Sequence, residues 1–318
     1  MLMIIFYHFN CAIERIIGQE FTIMARYNLA AAMGVSLFFI LSGASLSYAT
    51  STEFSLASFY HKRFISIFPL FWATYIAIVF SHVVVFQQSL FHDLQRWTFL
   101  LTIIGLDGFL LYLSPNYYLI GEWFLGCILI FYVIFPLIKY LFHKNKHLLI
   151  IGSLLLCLLL EHFYSLNMPL LRFPPFRVFE FIFGMYISSY LAKNKYSRTT
   201  TALTMLGLII IILYGTNVLA TNILFGCISF IFLTEIAKYC PLFLRNNFIR
   251  FLSKYSFAAF LIHHITLTVI INYAKDALTS QISIFLLFSL ILLIIYLAAF
   301  LIYNLVAYLL RTPIAFRW

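Results

Sequence analysis

Apolar residues run along this chain in long blocks separated by short polar stretches, at about residues 1–13, 28–50, 64–86, 98–113, 121–141, 148–163, 176–192, 202–217, 220–238, 255–273 and 282–310. Blocks of that length predict helices, and a helix needs roughly 20 apolar residues to cross a bilayer. The block at 98–113 is the weakest. Sixteen helical residues at about 1.5 Å each fall short of a hydrocarbon core of about 30 Å, and Gly105, Asp107 and Gly108 interrupt the run. Its composition is that of a re-entrant or interfacial segment.

Lysine and arginine in the connecting loops supply an independent test, because they set orientation in the membrane. If all eleven blocks cross, basic loops fall on opposite faces. With 98–113 left as non-crossing, ten helices remain. One face then collects Lys62, Arg63, Lys139, Lys144, Lys146, Lys193, Lys195, Arg198, Lys238, Arg245, Arg250, Lys254, Arg311 and Arg317. The other keeps Arg15, Arg26, Arg96, Arg172, Arg177 and Lys275 with most of the acids, including Glu14, Glu20, Asp93, Asp107, Glu122, Glu161 and Asp276. The expectation is an all-α polytopic membrane protein with about ten transmembrane helices, one short re-entrant or interfacial segment, and both termini cytoplasmic.

Composition agrees. Of 318 residues 64% are hydrophobic, 9% charged and 19% aromatic, a mix that excludes a water-soluble enzyme and argues against disorder or nucleic-acid binding. The net charge of +10 is largely the loop asymmetry and argues only weakly for an anionic ligand. Cys11, Cys127, Cys157, Cys227 and Cys240 lack ligand spacing, so buried thiols are expected, with no disulfide framework and no zinc site. Without a basic n-region or a cleavage site, Met1 to Ile13 reads as a retained, short membrane helix. There is no repeat, linker or long hydrophilic stretch, so residues 1–318 form one integral-membrane domain.

Ionisable groups at bilayer depth cost about 2.5–3.5 kcal/mol on insertion scales, which makes each a functional candidate set against a role in helix packing. His8, in FYHF, is either a general base or a core histidine bonded to a neighbouring helix. Glu122 and Trp123, in IGEWFLG, suit a helix start at the interface, and they border any cavity lined by the re-entrant segment. Arg177 and Glu180 stand three apart on one helical face, as a structural ion pair or as substrate contacts. His263 and His264 point about 100° apart, so one of them faces the interior. Lys62 and Arg63 either snorkel or bind the phosphates of a cytoplasmic donor. HExxH, GxSxG and Walker-type patterns are missing, which leaves metal and ATP chemistry unsupported.

In order along the chain, IIFYHF (4–9), GVSLFFILSG (34–43), FYHKRFISIFPLFW (59–72), EWFLGCILIFYVIFPLI (122–138), FEFIFGM (179–185) and LSKYSFAAFLIH (252–263) resemble the motifs of acyltransferase family 3. These are bacterial integral-membrane O-acyltransferases that modify surface glycans. The resemblance implies that His8 is the catalytic histidine, that Arg63 is the first arginine of an Arg-x-x-Arg motif, and that His263 closes the penultimate-helix motif. Three departures accompany it. The family's cation eleven residues before the histidine would precede Met1, so either the start is truncated or another cation does that work. The second arginine falls on Ser66, which leaves phosphate contacts to Lys62 and Arg63. A glutamate five residues after the tryptophan is replaced by Ile128, so Glu122 substitutes for it or acts differently.

The implied reaction moves an acyl group, acetyl from acetyl-CoA, to a sugar hydroxyl of a surface polysaccharide or lipid-linked glycan in the bacterial cell membrane. His8 and Glu122 are the catalytic candidates, Lys62 and Arg63 bind the donor, and Trp123, Arg177, Glu180 and His263, with Tyr118, meet the substrate. No cofactor is bound permanently, no metal is expected, and oligomeric state is silent. A transporter or flippase for a glycan or small metabolite is the alternative, but it predicts inverted repeats with matching interrupted helices, and only one interrupted block is evident. A glycan polymerase predicts a large outer loop, whereas the longest outer stretch is about 87–121.

Overall fold

A computed structural model describes residues 1–18, 29–51, 54–85, 87, 91, 93–191, 196–214, 219–278 and 280–310. Glu20, Arg26, Lys193, Lys195, Arg311 and Arg317, used in the orientation argument, lie outside the described residues. Among those described, all regular structure is helical: α1 (Leu2–Ile17), α2 (Leu29–Ala49), α3 (Leu56–Phe80), α4 (Glu122–Phe163), α5 (Pro174–Leu191), α6 (Arg198–Tyr214), α7 (Leu219–Tyr239), α8 (Asn247–Lys254), α9 (Ser256–Ala274) and α10 (Gln281–Leu310), with several short turns between them. Helices are what an apolar environment demands, since each satisfies its backbone groups internally.

Boundaries differ from the hydropathy blocks in understandable ways. α1 runs past Ile13 to Ile17 and closes at Gly18, whose N–H bonds the Glu14 carbonyl at 2.9 Å. α3 begins eight residues before its block, because the mostly exposed Leu56 to Arg63, in which Ser58, His61, Lys62 and Arg63 break the apolar run, continue the helix, and it ends in a π-helical turn at Ser81–Val85. α4 joins two blocks into 42 residues, yet Asn145 is extended (φ −160°, ψ 94°) and its side chain caps the N–H groups of His147 and Leu148. The 98–113 block breaks into Phe99–Ile103 and Asp107–Leu110 around Gly105, and neither piece is long enough to cross.

Six helices among the described residues are long and apolar enough to span a membrane: Ala31–Ala49, Leu56–Val84, Glu122–Phe163, Leu219–Tyr239, Ser256–Ala277 and Gln281–Leu310. The protein is a multi-pass membrane protein. These are fewer than the expected ten because α1, α5 and α6, at 16, 18 and 17 residues, are too short or too polar for that standard, and the two halves of α4 count once.

The chain packs into two compact units. The first comprises Met1–Ala30, His61–Gly126 and Phe251–Phe316. In it α1 packs on α9 and α9 on α10, with Phe6 and Phe9 against Phe288 at ring separations of 5.7 and 4.9 Å. The second comprises the described residues of Ala31–Tyr60 and Cys127–Arg250. Here α6 packs on α7 and α7 on α5. Gly43 lies on the Phe181 carbonyl and Gly184 on the Ile40 carbonyl, so α2 and α5 approach backbone to backbone, as small residues allow in membranes. Cys127, Cys157 and Cys227 are buried free thiols, as expected, whereas Cys240 is exposed.

The second unit buries Arg177 and Glu180 almost completely, at 2% and 0% exposure, with Arg177 Nε 3.1 Å from Glu180 Oε2 and its guanidinium 5.1 Å from the Phe39 ring. Each charge is the other's partner. Glu180→Leu strands a buried guanidinium and is expected to lower stability by about 3–5 kcal/mol, whereas Arg177→Met combined with Glu180→Leu restores most of it. Thermal unfolding of the purified variants in detergent checks both.

Candidate active site

The first unit gathers a carboxylate and three imidazoles from three helices. Glu122 opens α4 in a left-handed conformation (φ 49°) directly after Gly121 (φ 90°), a backbone that a non-glycine residue adopts at a cost and keeps only where its surroundings fix it. The interrupted segment fixes it. Gly108 lies against the Glu122 backbone so closely that a Cβ there would meet the Glu122 carbonyl at 2.8 Å and the Tyr118 ring at 2.9 Å. α3 pins that segment, because Trp72 Nε1 donates to the Ile103 carbonyl at 2.9 Å and the Tyr75 hydroxyl donates to the Tyr117 carbonyl at 2.8 Å. Asn116 closes it by donating to the Asp107 carbonyl at 3.0 Å and accepting from the Tyr118 N–H at 3.0 Å.

His8 comes from the middle of α1, and His263 and His264 from α9. The His8 ring lies 5.1 Å from that of His263 and 5.2 Å from that of His264, while Tyr7 packs edge-on beside it at 5.1 Å. His264 Nε2 stands 3.7 Å from Glu122 Oε1. Donor atoms of His8, Glu122 and His263 all lie within 4.8 Å of one another. These are also the residues that could hold a metal. At up to 4.8 Å the set is looser than the roughly 3.4 Å that separates two ligands of a tetrahedral zinc with bonds of about 2.1 Å, so it would have to contract around an ion. An imidazole beside a carboxylate is equally the arrangement of a general base and its electrostatic partner.

The expected residues separate. His8, Glu122 and His263 meet. Trp123 is half-buried next to Glu122, with its ring edge-on to Phe124 at 6.4 Å. Lys62 is exposed and Arg63 half-buried on α3 of the same unit. Phe71 of α3 borders Gly121, and eight helical residues put Arg63 about 12 Å along the axis from that level. Ser66, where the resemblance expects an arginine, donates its hydroxyl to the Arg63 carbonyl at 3.0 Å. Arg177 and Glu180 belong to the second unit and bind each other. Of the two adjacent histidines, His263 is fully buried and the His264 side chain is 42% exposed, yet both reach the cluster. His264 was the residue missed: its angular offset from His263 was legible, but not that Glu122 would meet the outward-turned ring.

Residues 1–310 match the acyltransferase 3 family, described as an acyltransferase domain. No curated protein and no solved structure matches the chain.

Asp107, in the segment that backs Glu122, is 1% exposed. Burial pushes its carboxyl up to about 7, against the pull of the Gly108 N–H, which donates to Oδ1 at 2.9 Å, and of the Thr102 hydroxyl. A raised carboxyl binds protons more tightly in the folded chain, so its cost to stability begins near the ordinary value of 3.8 and is complete above about pH 7. Asp107→Asn keeps the bond to Gly108 and removes that cost. Its stabilising effect is expected to grow from little at pH 4 to about 4 kcal/mol above pH 7, read as the pH dependence of the difference in Tm.

Proposed function

We propose, since the chain belongs to acyltransferase family 3, that it is an O-acyltransferase moving an acetyl group from acetyl-CoA to a sugar hydroxyl of a surface polysaccharide or lipid-linked glycan. The observation that carries this reading is the meeting of His8 with Glu122 inside an apolar helix unit. In the reaction the hydroxyl oxygen bonds to the thioester carbonyl carbon as His8 takes the hydroxyl proton. The carbon–sulfur bond then breaks, and His8 returns that proton to the thiolate of coenzyme A. General-base assistance of this kind contributes about 10²–10⁴-fold. Glu122 balances the positive charge that His8 carries midway.

The donor's phosphates meet Lys62 and Arg63, and its flexible arm carries the thioester along α3 toward the cluster. A separation of about 12 Å along the helix axis supports that division of labour. Trp123 and Tyr118 offer ring faces to the sugar. Arg177, Glu180 and His263 belong to this reading less directly: the first two serve the fold through their ion pair, and His263 serves His8.

In the membrane the reading has ten crossings in a bacterial cell membrane with both termini cytoplasmic. Helices of 16 to 18 residues span about 24–27 Å, a shortfall of a few ångströms that flanking residues or local thinning of the bilayer accommodate. Transport of a glycan, the alternative, requires no acyl transfer and is not favoured by membership of this family.

Two substitutions test the proposal. His8→Ala is expected to abolish transfer while membrane expression is retained, and the mass spectrum of the host's surface glycans loses about 42 mass units per modified sugar as in a gene deletion, the difference between an acetyl group and a hydrogen. Unchanged acylation with altered glycan amount would favour transport. Arg63→Ala is expected to raise KM for the acyl-CoA donor about tenfold, the loss of roughly one charge-assisted phosphate contact, with acceptor KM unchanged. Steady-state kinetics in detergent or nanodiscs checks it.

A further inference from the structure

We propose that His263 is the positioning residue that decides which nitrogen of His8 carries a proton. This rests on His8 acting as the base. His263 Nδ1 lies 2.6 Å from the Phe260 carbonyl, which can only accept, so Nδ1 bears the hydrogen and Nε2 is a bare lone pair. That lone pair is fully buried and has no hydrogen-bond partner. A buried acceptor left unmade is costly, so the geometry calls for a donor.

Among the described residues few groups can supply one, and the Met1 ammonium is felt at His263 less than either neighbouring imidazole. The Glu122 carboxylate, also within 4.8 Å, is an acceptor. His264 turns its Nε2 toward Glu122 at 3.7 Å, and its ring is the farther of the two at 6.2 Å. His8 remains, with its ring 5.1 Å away and a ring nitrogen within 4.8 Å of one of His263, a gap that must close for the bond to form, as catalytic hydrogen bonds often tighten only with substrate bound. When His8 donates from one nitrogen to His263, its other nitrogen is left unprotonated and available to a hydroxyl. A relay of Phe260 carbonyl, His263 and His8 thus selects the reactive tautomer, the task an orienting group performs for other catalytic histidines.

The ring of His263 is held for this purpose. Phe260 stacks on it at 5.8 Å, and Phe124, two residues after Glu122, packs edge-on against Phe260 at 5.6 Å. Full burial also means that His263 acts through His8 rather than by touching a substrate.

Glutamine can reproduce both bonds, donating from its amide nitrogen to Phe260 and accepting from His8 on its oxygen, whereas leucine fills the space with neither. His263→Gln is therefore expected to keep kcat within about tenfold of wild type, and His263→Leu to lose about 10²–10⁴-fold in kcat with both KM values unchanged. Nitrogen-15 NMR of histidine-labelled protein in nanodiscs, with His8 assigned by its absence in His8→Ala, is expected to show one His8 tautomer in wild type and His263→Gln and a mixture in His263→Leu. Equal activity of the Gln and Leu variants, or the same His8 tautomer in all three, overturns the proposal. So does stoichiometric zinc in the purified protein, because the metal would then own the lone pair. Active His8→Ala would instead overturn the base assignment, while the NMR comparison would still report on the coupling between the two rings.

Discussion

In a bilayer no water is at hand to satisfy an exposed polar group, and that constraint shapes this molecule at every level. It makes the described chain all-helical, and it forces the interrupted segment between α3 and α4 to find partners for its irregular backbone. Trp72 and Tyr75 supply two of them and Asn116 more. With that segment anchored, Gly108 becomes a flat seat for the backbone of Glu122, and the left-handed start of α4 is held where unsupported it would be unfavourable. The carboxylate that meets the histidines is thus delivered by hydrogen bonds several residues away from it.

The same constraint distinguishes the two buried ionic clusters. Arg177 and Glu180 solve their problem within one turn of α5, and an aromatic ring covers the guanidinium. Such a pair is self-contained and leaves little capacity for chemistry. The cluster of His8, Glu122 and His263 is assembled from three helices and retains acceptors without donors, among them Glu122 Oε1 and His263 Nε2. Both clusters keep buried polar atoms without a hydrogen bond, Glu180 Oε1 and Oε2 among them, so what sets the second apart is its assembly from three helices and the partial exposure that His264 gives one side of it.

Much of this was legible in the sequence. Hydropathy located every long helix, the disruptive Gly105–Asp107–Gly108 run identified the segment that fails to cross, and the spacing of Arg177 and Glu180 gave their pairing. What stayed hidden were features set by tertiary contact. The start of α3 extends into a mixed, mostly exposed stretch because a helix propagates past the end of its apolar run, which hydropathy does not register. Asp107 counted as an outer-face acid in the charge pattern, yet it is buried because its segment folds back on α3. His264 looked like the discarded half of a pair, although a ring turned 100° from the interior is well placed to meet a carboxylate arriving from a neighbouring helix.

In the proposed reaction the half-exposed His264 and the buried His263 serve opposite ends of one problem. A base that gains a proton midway through a reaction needs a nearby negative charge and a fixed orientation, and neither can be allowed to compete for the proton it holds. In the proposed reaction Glu122 supplies the charge, but a carboxylate free to swing would accept from the His8 N–H and compete for it with His263. His264 stands beside that carboxylate at 3.7 Å on the more exposed side, while in the proposed relay His263 engages His8 from the buried side. Two histidines adjacent in sequence, divergent on their helix and converging on one imidazole, satisfy both requirements with a single turn of α9.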